Sequence, residues 1–349
     1  MSPHRRARRA RGFWHWLLAA AACGSLATCA SPVPGSSGSS STGDPALRRA
    51  IAVGVGTPPL KATLTLPVGS GRFPAVVLVG GSGPSDQDET VGPDKPFQDI
   101  ADGLAARGIA TLRYDKRTHD YPYSINQATF TATDEYVPDA VAALAVLQAR
   151  AEIDSRRIFI LGHSEGGTFA PLIAKAVPSV AGVVLMAASA EAPGPNLIRQ
   201  VTYLASLPGE IGQAADAELP AVREAAAELD VRNLVTDSPT ARLSPLLGGT
   251  EPAYWLDRLH YDEVATARAI PQPLLFLQGD RDYNVTVADD LNVWLAGLEG
   301  RPHVTVFEYP PADHLFIDGA GPASPADYDH AAHVDPSVIR DIAAWVKSV

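Results

Sequence analysis

A serine flanked by glycines is the residue of this chain that is best placed for nucleophilic chemistry. The segment Gly162-His163-Ser164-Glu165-Gly166 has the pattern G-x-S-x-G, in which a strand turns so sharply into a helix that the serine oxygen is exposed on a strained backbone. A predicted strand at residues 157–161 precedes it, and a predicted helix at residues 169–177 follows. This placement favours a nucleophilic Ser164 over an ordinary serine in a glycine-rich turn.

A serine hydroxyl needs a base near neutral pH, and that base needs a carboxylate to orient it. His314 follows one predicted strand, and Asp280 and Asp282 follow another. Both loops leave the carboxyl edge of the predicted sheet, where ligands of open α/β sheets bind and where Ser164 also lies. Asp313, beside His314 in the sequence, is a weaker candidate for the acid, because it would need an unusual bend to meet the ring.

The other histidines are less suitable as the base. His163 precedes the serine and is expected to pack beside the turn, whereas His303 precedes its strand and lies at the opposite edge. His119 lies in a loop that could border the site. We therefore predict His314 as the base, with His119, or a surface position for His314, as the alternatives.

An acyl-transfer reaction also needs donors for the negative oxygen of its transition state. The backbone N–H of Glu165 is one candidate, because it opens the helix after the serine, where the positive end of the helix dipole lies. The second candidate is the backbone N–H of Ser82, in the glycine-rich loop after a predicted strand. The sequence Gly-Gly-Ser-Gly-Pro would form a turn in any case, and both interpretations can hold together.

Alternating strands and helices are expected to position these loops. A hairpin is predicted within residues 51–66, and further strands near residues 73–79, 109–112, 158–161, 183–186, 274–277 and 304–309. Helices are predicted near residues 96–107, 136–149, 287–298 and 336–346. This alternation is typical of a mostly parallel sheet with helices on both faces. Between the predicted strands at 183–186 and 274–277, roughly 80 residues contain no clear strand, which is too long for a plain connection. We therefore predict an inserted helical cap at about residues 190–268, with helices near 214–229 and 251–267.

Several loop motifs resemble those of bacterial EstD-type carboxylesterases, which are α/β-hydrolases related to the prolyl oligopeptidase and dienelactone hydrolase groups. These motifs are residues 80–89, 92–97, 112–117, 162–167 and 277–282. The resemblance covers about residues 50–348 and implies an α/β-hydrolase fold, activity on short-chain esters, no cofactor, and a catalytic triad of Ser164, Asp282 and His314. Asp280, at the end of its strand, is then expected to close the turn by accepting backbone N–H bonds.

A charged segment, Arg113, Asp115, Lys116 and Arg117, follows a predicted strand near the site. It could bind a substrate carboxylate or phosphate, although such loop clusters are more commonly structural ion pairs. The sequence shows no metal-binding constellation. A net charge of −11 gives no basic face for nucleic acid, so the expected partner is a small-molecule ester.

The first 30 residues have the layout of an export signal. An arginine-rich start leads into an apolar run at residues 13–22, too short for a membrane anchor. Leu26-Ala27-Thr28-Cys29 resembles a lipoprotein box in which Cys29 would be lipidated and attached to a membrane, with cleavage after Ala30 and secretion as the alternative. Residues 31–45 are rich in Ser, Gly and Pro, which predicts a flexible tether. A single domain is predicted at 46–349, and both cysteines of the chain lie before it.

These observations favour an exported serine hydrolase that cleaves short-chain carboxylic esters through an acyl-enzyme. A peptidase or amidase of the oligopeptidase-related type is the enzymatic alternative, although the sequence lacks the blade-like repeats that screen the site in such peptidases. A non-catalytic envelope lipoprotein is the alternative from another class. Such a binding protein would have no need of an intact triad.

Overall fold

The computed structural model of the protein describes residues 48–229 and 252–349. The predicted export signal, Cys29 and the tether therefore lie outside the described residues. Residues 230–251, in the middle of the predicted cap, do so as well.

In the described part of the chain, eight strands form one sheet of order β1-β2-β4-β3-β5-β6-β7-β8. They are β1 (Arg48–Val55), β2 (Leu60–Pro67), β3 (Phe73–Val79), β4 (Ala110–Tyr114), β5 (Ile153–His163), β6 (Gly182–Met186), β7 (Leu274–Gly279) and β8 (Val304–Tyr309). Strand β2 pairs antiparallel with β1 and β4, and all other neighbours are parallel. The predicted hairpin and the mostly parallel sheet are confirmed.

Helices cover both faces of this sheet. The described helices are α1 (Pro96–Ala105), α2 (Arg117–Asp120), α3 (Ala132–Gln148), α4 (Glu165–Ala176), α5 (Pro193–Ser206), α6 (Glu210–Glu228), α7 (Pro252–His260), α8 (Glu263–Ala269), α9 (Asn292–Gly297) and α10 (Pro336–Ser348). None of them is long and apolar enough to cross a bilayer.

The core is divided between the two faces of the sheet, and β5 contributes to both. Ile160 packs with residues of α3 and α4, whereas its neighbours Phe159 and Leu161 pack with residues of α1 and α10. Successive strand residues point to opposite faces, so a strand covered on both sides must be apolar throughout. This explains the continuous apolar run before Ser164 and fixes the end of β5 rigidly in the centre of the sheet.

Two of the differences between predicted and observed helices arise because polar side chains cap new helix starts. Helix α3 begins before residue 136, since the side chains of Thr131 and Asp134 form a capping box. The helix predicted at residues 251–267 is two helices, because Asp262 accepts a hydrogen bond from Ala265 N and starts α8.

Helices α5 to α8 lie between β6 and β7, where the sequence predicts a helical cap. Leu204 of α5 and Val222 of α6 belong to an apolar cluster with Trp255 of α7 and Tyr283. Arg199 of α5 also donates hydrogen bonds to the carbonyl oxygens of Tyr283 and Asn284. The helical segment is therefore attached to the loop after β7, which carries Asp282.

Candidate active site

Ser164 occupies a strained turn between β5 and α4. Its backbone has φ 54° and ψ −125°, a region that residues other than glycine rarely adopt. Strand and helix approach so closely that a Cβ at Gly162 would lie 2.2 Å from the carbonyl oxygen of Gly166. A Cβ at Gly166 would lie 2.4 Å from the carbonyl oxygen of Gly80. Both glycines of the pattern are thus required by backbone packing.

The structure brings Ser164, His314 and Asp282 together. His314 Nε2 lies 3.1 Å from Ser164 Oγ, and His314 Nδ1 lies 2.6 Å from Asp282 Oδ2. The loops after β7 and β8 are joined by a hydrogen bond from Arg281 N to the carbonyl oxygen of Ala312. The aspartate is buried, whereas 14% of the histidine side chain is exposed. This geometry permits the imidazole to accept the serine proton while the carboxylate holds the opposite ring nitrogen.

Asp282, rather than Asp280, also closes the turn after β7. Asp282 Oδ1 accepts hydrogen bonds from the backbone N–H groups of Asn284 at 2.7 Å and Val285 at 2.9 Å. Asp280 is exposed, and its carboxylate accepts no hydrogen bond within the described residues. The turn-closing role expected for Asp280 is therefore wrong, because the buried carboxylate two residues later satisfies these donors.

Asp313 shapes the loop that carries His314. Its Oδ1 accepts hydrogen bonds from the backbone N–H groups of Leu315 at 2.9 Å and Ile317 at 3.1 Å. Burial raises the pKa of Asp313 to about 6, although both backbone donors oppose this shift and the Asp282 carboxylate adds to it. Asp313 thus shapes the loop of His314 through backbone N–H groups.

This raised pKa predicts a pH-dependent difference between the protein and its Asp313→Asn variant. A carboxyl whose folded-state pKa exceeds the unfolded value stabilises the fold below the unfolded pKa, and this stabilisation is lost as pH rises through the folded pKa. Urea unfolding should therefore show the variant gaining on the order of 2 kcal/mol relative to wild type between pH 4.5 and 7.5. A difference in unfolding free energy that is constant over this range would contradict the assignment.

His163, which the sequence places beside the turn, connects the base to the glycine-rich loop. Its Nε2 lies 2.8 Å from the carbonyl oxygen of His314, and its Nδ1 lies 2.9 Å from Glu89 Oε1. Burial alone would lower the pKa of His163, but the Glu89 carboxylate and the His314 carbonyl outweigh it and raise that pKa. The ring therefore links the His314 loop to Glu89 behind the site.

The glycine-rich loop after β3 runs directly beside the serine. A Cβ on Gly81 would lie 2.9 Å from Ser164 Cβ. Gly81 N donates to Glu89 Oε1 at 2.6 Å, so this N–H is already engaged. Ser82 follows it and lines the same cavity as Ser164, while Glu165 opens α4. The two residues whose backbone N–H groups are predicted as oxyanion donors thus both line the cavity that contains Ser164.

The charged segment after β4 forms ion pairs that are buried or partly buried. Arg113 Nε lies 2.7 Å from Asp88 Oδ1, Arg117 Nη2 lies 2.5 Å from Asp139 Oδ1, and Lys116 Nζ lies 3.0 Å from Glu135 Oε1. Arg113 and Lys116 are almost fully buried, so the structural interpretation of this segment holds for both. Glu89 and the internal position of Lys116 were not predicted. The sequence feature that could have pointed to both residues is their place in the loop motifs at 80–89 and 112–117, which resemble those of EstD-type esterases.

The alternative base, His119, lies away from Ser164 and close to Asp115 and Asp120. One ligand atom from each of these three residues falls within 4.8 Å of the others. Lys61 Nζ already lies 3.5 Å from Asp120 Oδ1 and 3.8 Å from Asp115 Oδ2. This cluster is therefore balanced by a protein cation.

A cavity of about 300 Å³ opens above Ser164 and His314. Its roof includes Leu197 and Gln200 of α5 and Trp255 of α7. Polar groups are placed among these apolar walls, as is common in small-molecule sites. The cavity can therefore hold a compact organic substrate against the serine.

Sequence comparisons agree with the motifs. A family model described as serine aminopeptidase, S33 (Hydrolase_4) matches residues 95–317. The chain is 36% identical over 289 residues to Esterase EstD of Thermotoga maritima, a match that covers 82% of this chain and 65% of that relative. The chain thus spans less than two thirds of that curated relative. The resemblance to EstD-type esterases is confirmed.

Comparison with solved structures identifies the fold. The crystal structure of 2,6-dihydroxy-pseudo-oxynicotine hydrolase matches with a TM-score of 0.52 and 16% identity, over 86% of this chain and 68% of that one. A hypothetical protein from Pseudomonas aeruginosa matches with a TM-score of 0.52 and 18% identity, over 86% of this chain and 93% of that one. At these identities the similarity concerns the fold, and the predicted α/β-hydrolase fold is confirmed.

Proposed function

This chain belongs to the serine aminopeptidase S33 family of hydrolases, and from that membership we propose that it is a carboxylesterase with Ser164 as its nucleophile. The observation that carries the proposal is the alignment of the three side chains. Ser164 Oγ lies 3.1 Å from His314 Nε2, whose other ring nitrogen lies 2.6 Å from the buried Asp282.

In the proposed reaction, His314 Nε2 accepts the proton of Ser164 as the serine oxygen attacks the ester carbonyl carbon. The tetrahedral intermediate then breaks its bond to the alcohol oxygen, which takes that proton from His314 and leaves. Water, activated by the same histidine, hydrolyses the resulting acyl-enzyme. Asp282 holds the ring with its proton on Nδ1 and stabilises the imidazolium in both steps.

The oxyanion is assigned to the backbone N–H groups of Glu165 and Ser82. Glu165 supplies a donor at the start of a helix, where the dipole favours negative charge. Ser82 is preferred to Gly81 as the second donor because Glu89 Oε1 already accepts the Gly81 N–H at 2.6 Å. Each such donor contributes about 10²- to 10³-fold to turnover in related chemistry.

An ester is the proposed substrate because the relative with 36% identity is named an esterase. The test compares p-nitrophenyl butyrate with alanine p-nitroanilide, since the family description names an aminopeptidase. Faster hydrolysis of the ester, lost in Ser164→Ala, supports the proposal. Preferential release of p-nitroaniline would instead make the chain a peptidase, and no turnover of either would favour a binding protein.

The roof formed by α5 and α7 predicts a preference for short acyl chains. In an acyl pocket of unlimited depth, each CH₂ added to the acyl chain could contribute up to about 0.8 kcal/mol of binding free energy. The helices over this cavity of about 300 Å³ are expected to leave less room beside the leaving group for a long acyl chain than for a short one. We therefore expect kcat/KM to be higher for p-nitrophenyl butyrate than for the dodecanoate, whereas the opposite order would argue against a closed acyl pocket.

We also propose that the protein is exported and attached to a membrane through a lipid on Cys29. The sequence Leu26-Ala27-Thr28-Cys29 supports this proposal, and Cys23 provides a matched control. Expressed in a bacterium, Cys29→Ser should move esterase activity from the membrane fraction to the soluble fraction, while Cys23→Ser should leave it in the membrane. Equal distribution of Cys29→Ser and wild type would favour cleavage after Ala30.

A further inference from the structure

We propose that Lys116 is a positioning residue that holds the Gly81 carbonyl and thereby aims the Ser82 N–H at the oxyanion. The inference rests on the proposed function and adds a role to a residue behind the site. Lys116 is 4% exposed, and it is not among the described residues that line the cavity. A buried ammonium in this position cannot meet a substrate, so its contacts indicate what it does.

The Lys116 ammonium contacts three oxygen atoms. Nζ donates to the Gly81 carbonyl oxygen at 2.7 Å and to Tyr136 Oη at 3.1 Å, and it lies 3.0 Å from Glu135 Oε1. The shortest of these contacts is the one to the glycine-rich loop. The ring of Tyr136 lies under the ammonium, with its centroid 4.3 Å from Nζ, which further fixes its position.

Tyr136 cannot replace the lysine as donor to Gly81. Its hydroxyl carries one proton and lies 2.9 Å from Glu165 Oε2 but 3.1 Å from the Gly81 carbonyl oxygen. The nearer, carboxylate acceptor makes the stronger hydrogen bond. The phenol therefore donates to Glu165 and accepts from Lys116, and the orientation of the Gly81 carbonyl depends on the lysine.

The N–H side of Gly81 is held by a second buried charge. Gly81 N donates at 2.6 Å to Oε1 of Glu89, which also lies 2.9 Å from His163 Nδ1. Glu89 is 7% exposed and has a positive φ of 53°. Two buried charged side chains thus bind the amide hydrogen and the carbonyl oxygen of one glycine, which leaves its backbone little freedom to rotate.

This clamp determines where the next N–H points. The bond between Gly81 and Ser82 is trans, so its C=O and N–H project to opposite sides of one rigid plane. With the carbonyl oxygen held by Lys116, the proposal places the Ser82 N–H on the opposite side of this plane, in the cavity that Ser82 and Ser164 line. The charged segment after β4 thereby acts on catalysis through the backbone.

The test compares kcat, KM and inhibition by a trifluoromethyl ketone, whose hemiketal adduct with the serine carries an oxyanion, in wild type and Lys116→Met. We expect kcat to fall about 10- to 100-fold with KM within about threefold, because a misdirected donor weakens the transition state more than the ground state. The affinity for the trifluoromethyl ketone should fall in parallel with kcat/KM.

Because Lys116→Met leaves Glu135 as a buried unpaired charge, the same substitution is also made in a Glu135→Gln background, where charge is balanced. The loss of kcat between Glu135→Gln and the double variant should match that of the single lysine variant. Arg117→Gln removes another cation of the same segment, a partly buried one that pairs with Asp139. It should lower the melting temperature while the folded protein keeps its wild-type kcat.

Wild-type kcat in the double variant relative to Glu135→Gln would overturn the proposal. So would an equal loss in Arg117→Gln, because the effect would then be structural. Labelling of Ser164 by a fluorophosphonate separates this failure from that of the proposed function. If wild type is labelled and hydrolyses esters but its kcat does not depend on Lys116, only the positioning role is contradicted. If wild type is not labelled, the proposed function is contradicted.

Discussion

Replacing Ser164 by alanine is expected to lower ester turnover by about 10⁴-fold or more, because the variant has no atom that can attack the carbonyl carbon. The fold should persist, since the substitution removes one partly exposed oxygen and leaves the glycines of the turn in place. Rates on p-nitrophenyl butyrate, with melting temperatures for both proteins, check the prediction.

A surface serine provides the control for this substitution. Ser179 is exposed, lies past the end of α4 opposite Ser164, and contacts the side chain of Gln148 through its hydroxyl. Ser179→Ala should keep the wild-type rate. If Ser164→Ala retained more than about a tenth of the wild-type rate, the nucleophile would have to be another residue.

Asp282→Asn is expected to lower turnover by about 10⁴-fold with the fold retained. The amide oxygen of the asparagine can still accept the N–H groups of Asn284 and Val285, but its NH₂ group would face His314 Nδ1. The ring would then carry its proton on Nε2, where it cannot accept the proton of Ser164. Turnover and melting temperature of the purified variant measure the two effects separately.

Asp280→Asn is the matched control, two residues away in the same loop. Because Asp280 is exposed, its substitution should change neither turnover nor melting temperature by a measurable amount. An inactive Asp280→Asn beside an active Asp282→Asn would reverse the assignment of the acid.

The sequence predicts the arrangement of the candidate site residues well where it depends on the order of strands and loops. A glycine-flanked serine after an apolar strand predicts the turn at Ser164, and the loops after two later strands predict that His314 meets a carboxylate. These inferences work because the carboxyl ends of parallel strands share one edge of the sheet. The constraint is topological, so residues far apart in the chain can be placed without knowledge of side-chain packing.

Sequence reasoning is weaker where a role depends on which side chain becomes buried. Asp280 and Asp282 have the same chemistry, but only the second is enclosed and can close the turn as well as face His314. Likewise, the sequence predicts ion pairs in the charged segment after β4, but only the packing shows that Lys116 lies inside and contacts Gly81. Hydrophobic periodicity predicts where strands and helices run. The contacts of Asp282 and Lys116 depend on tertiary packing, which residue spacing in the sequence does not describe.

The central claim, that Ser164 is the nucleophile of a serine hydrolase, is tested most directly by covalent labelling. Purified protein would be treated with a fluorophosphonate, digested, and analysed by mass spectrometry to locate the modified residue. We expect one adduct, on the peptide that contains Ser164, with no adduct in Ser164→Ala and slow labelling in Asp282→Asn. An unmodified Ser164 in folded wild-type protein, or a stoichiometric adduct on a different residue, would contradict the claim.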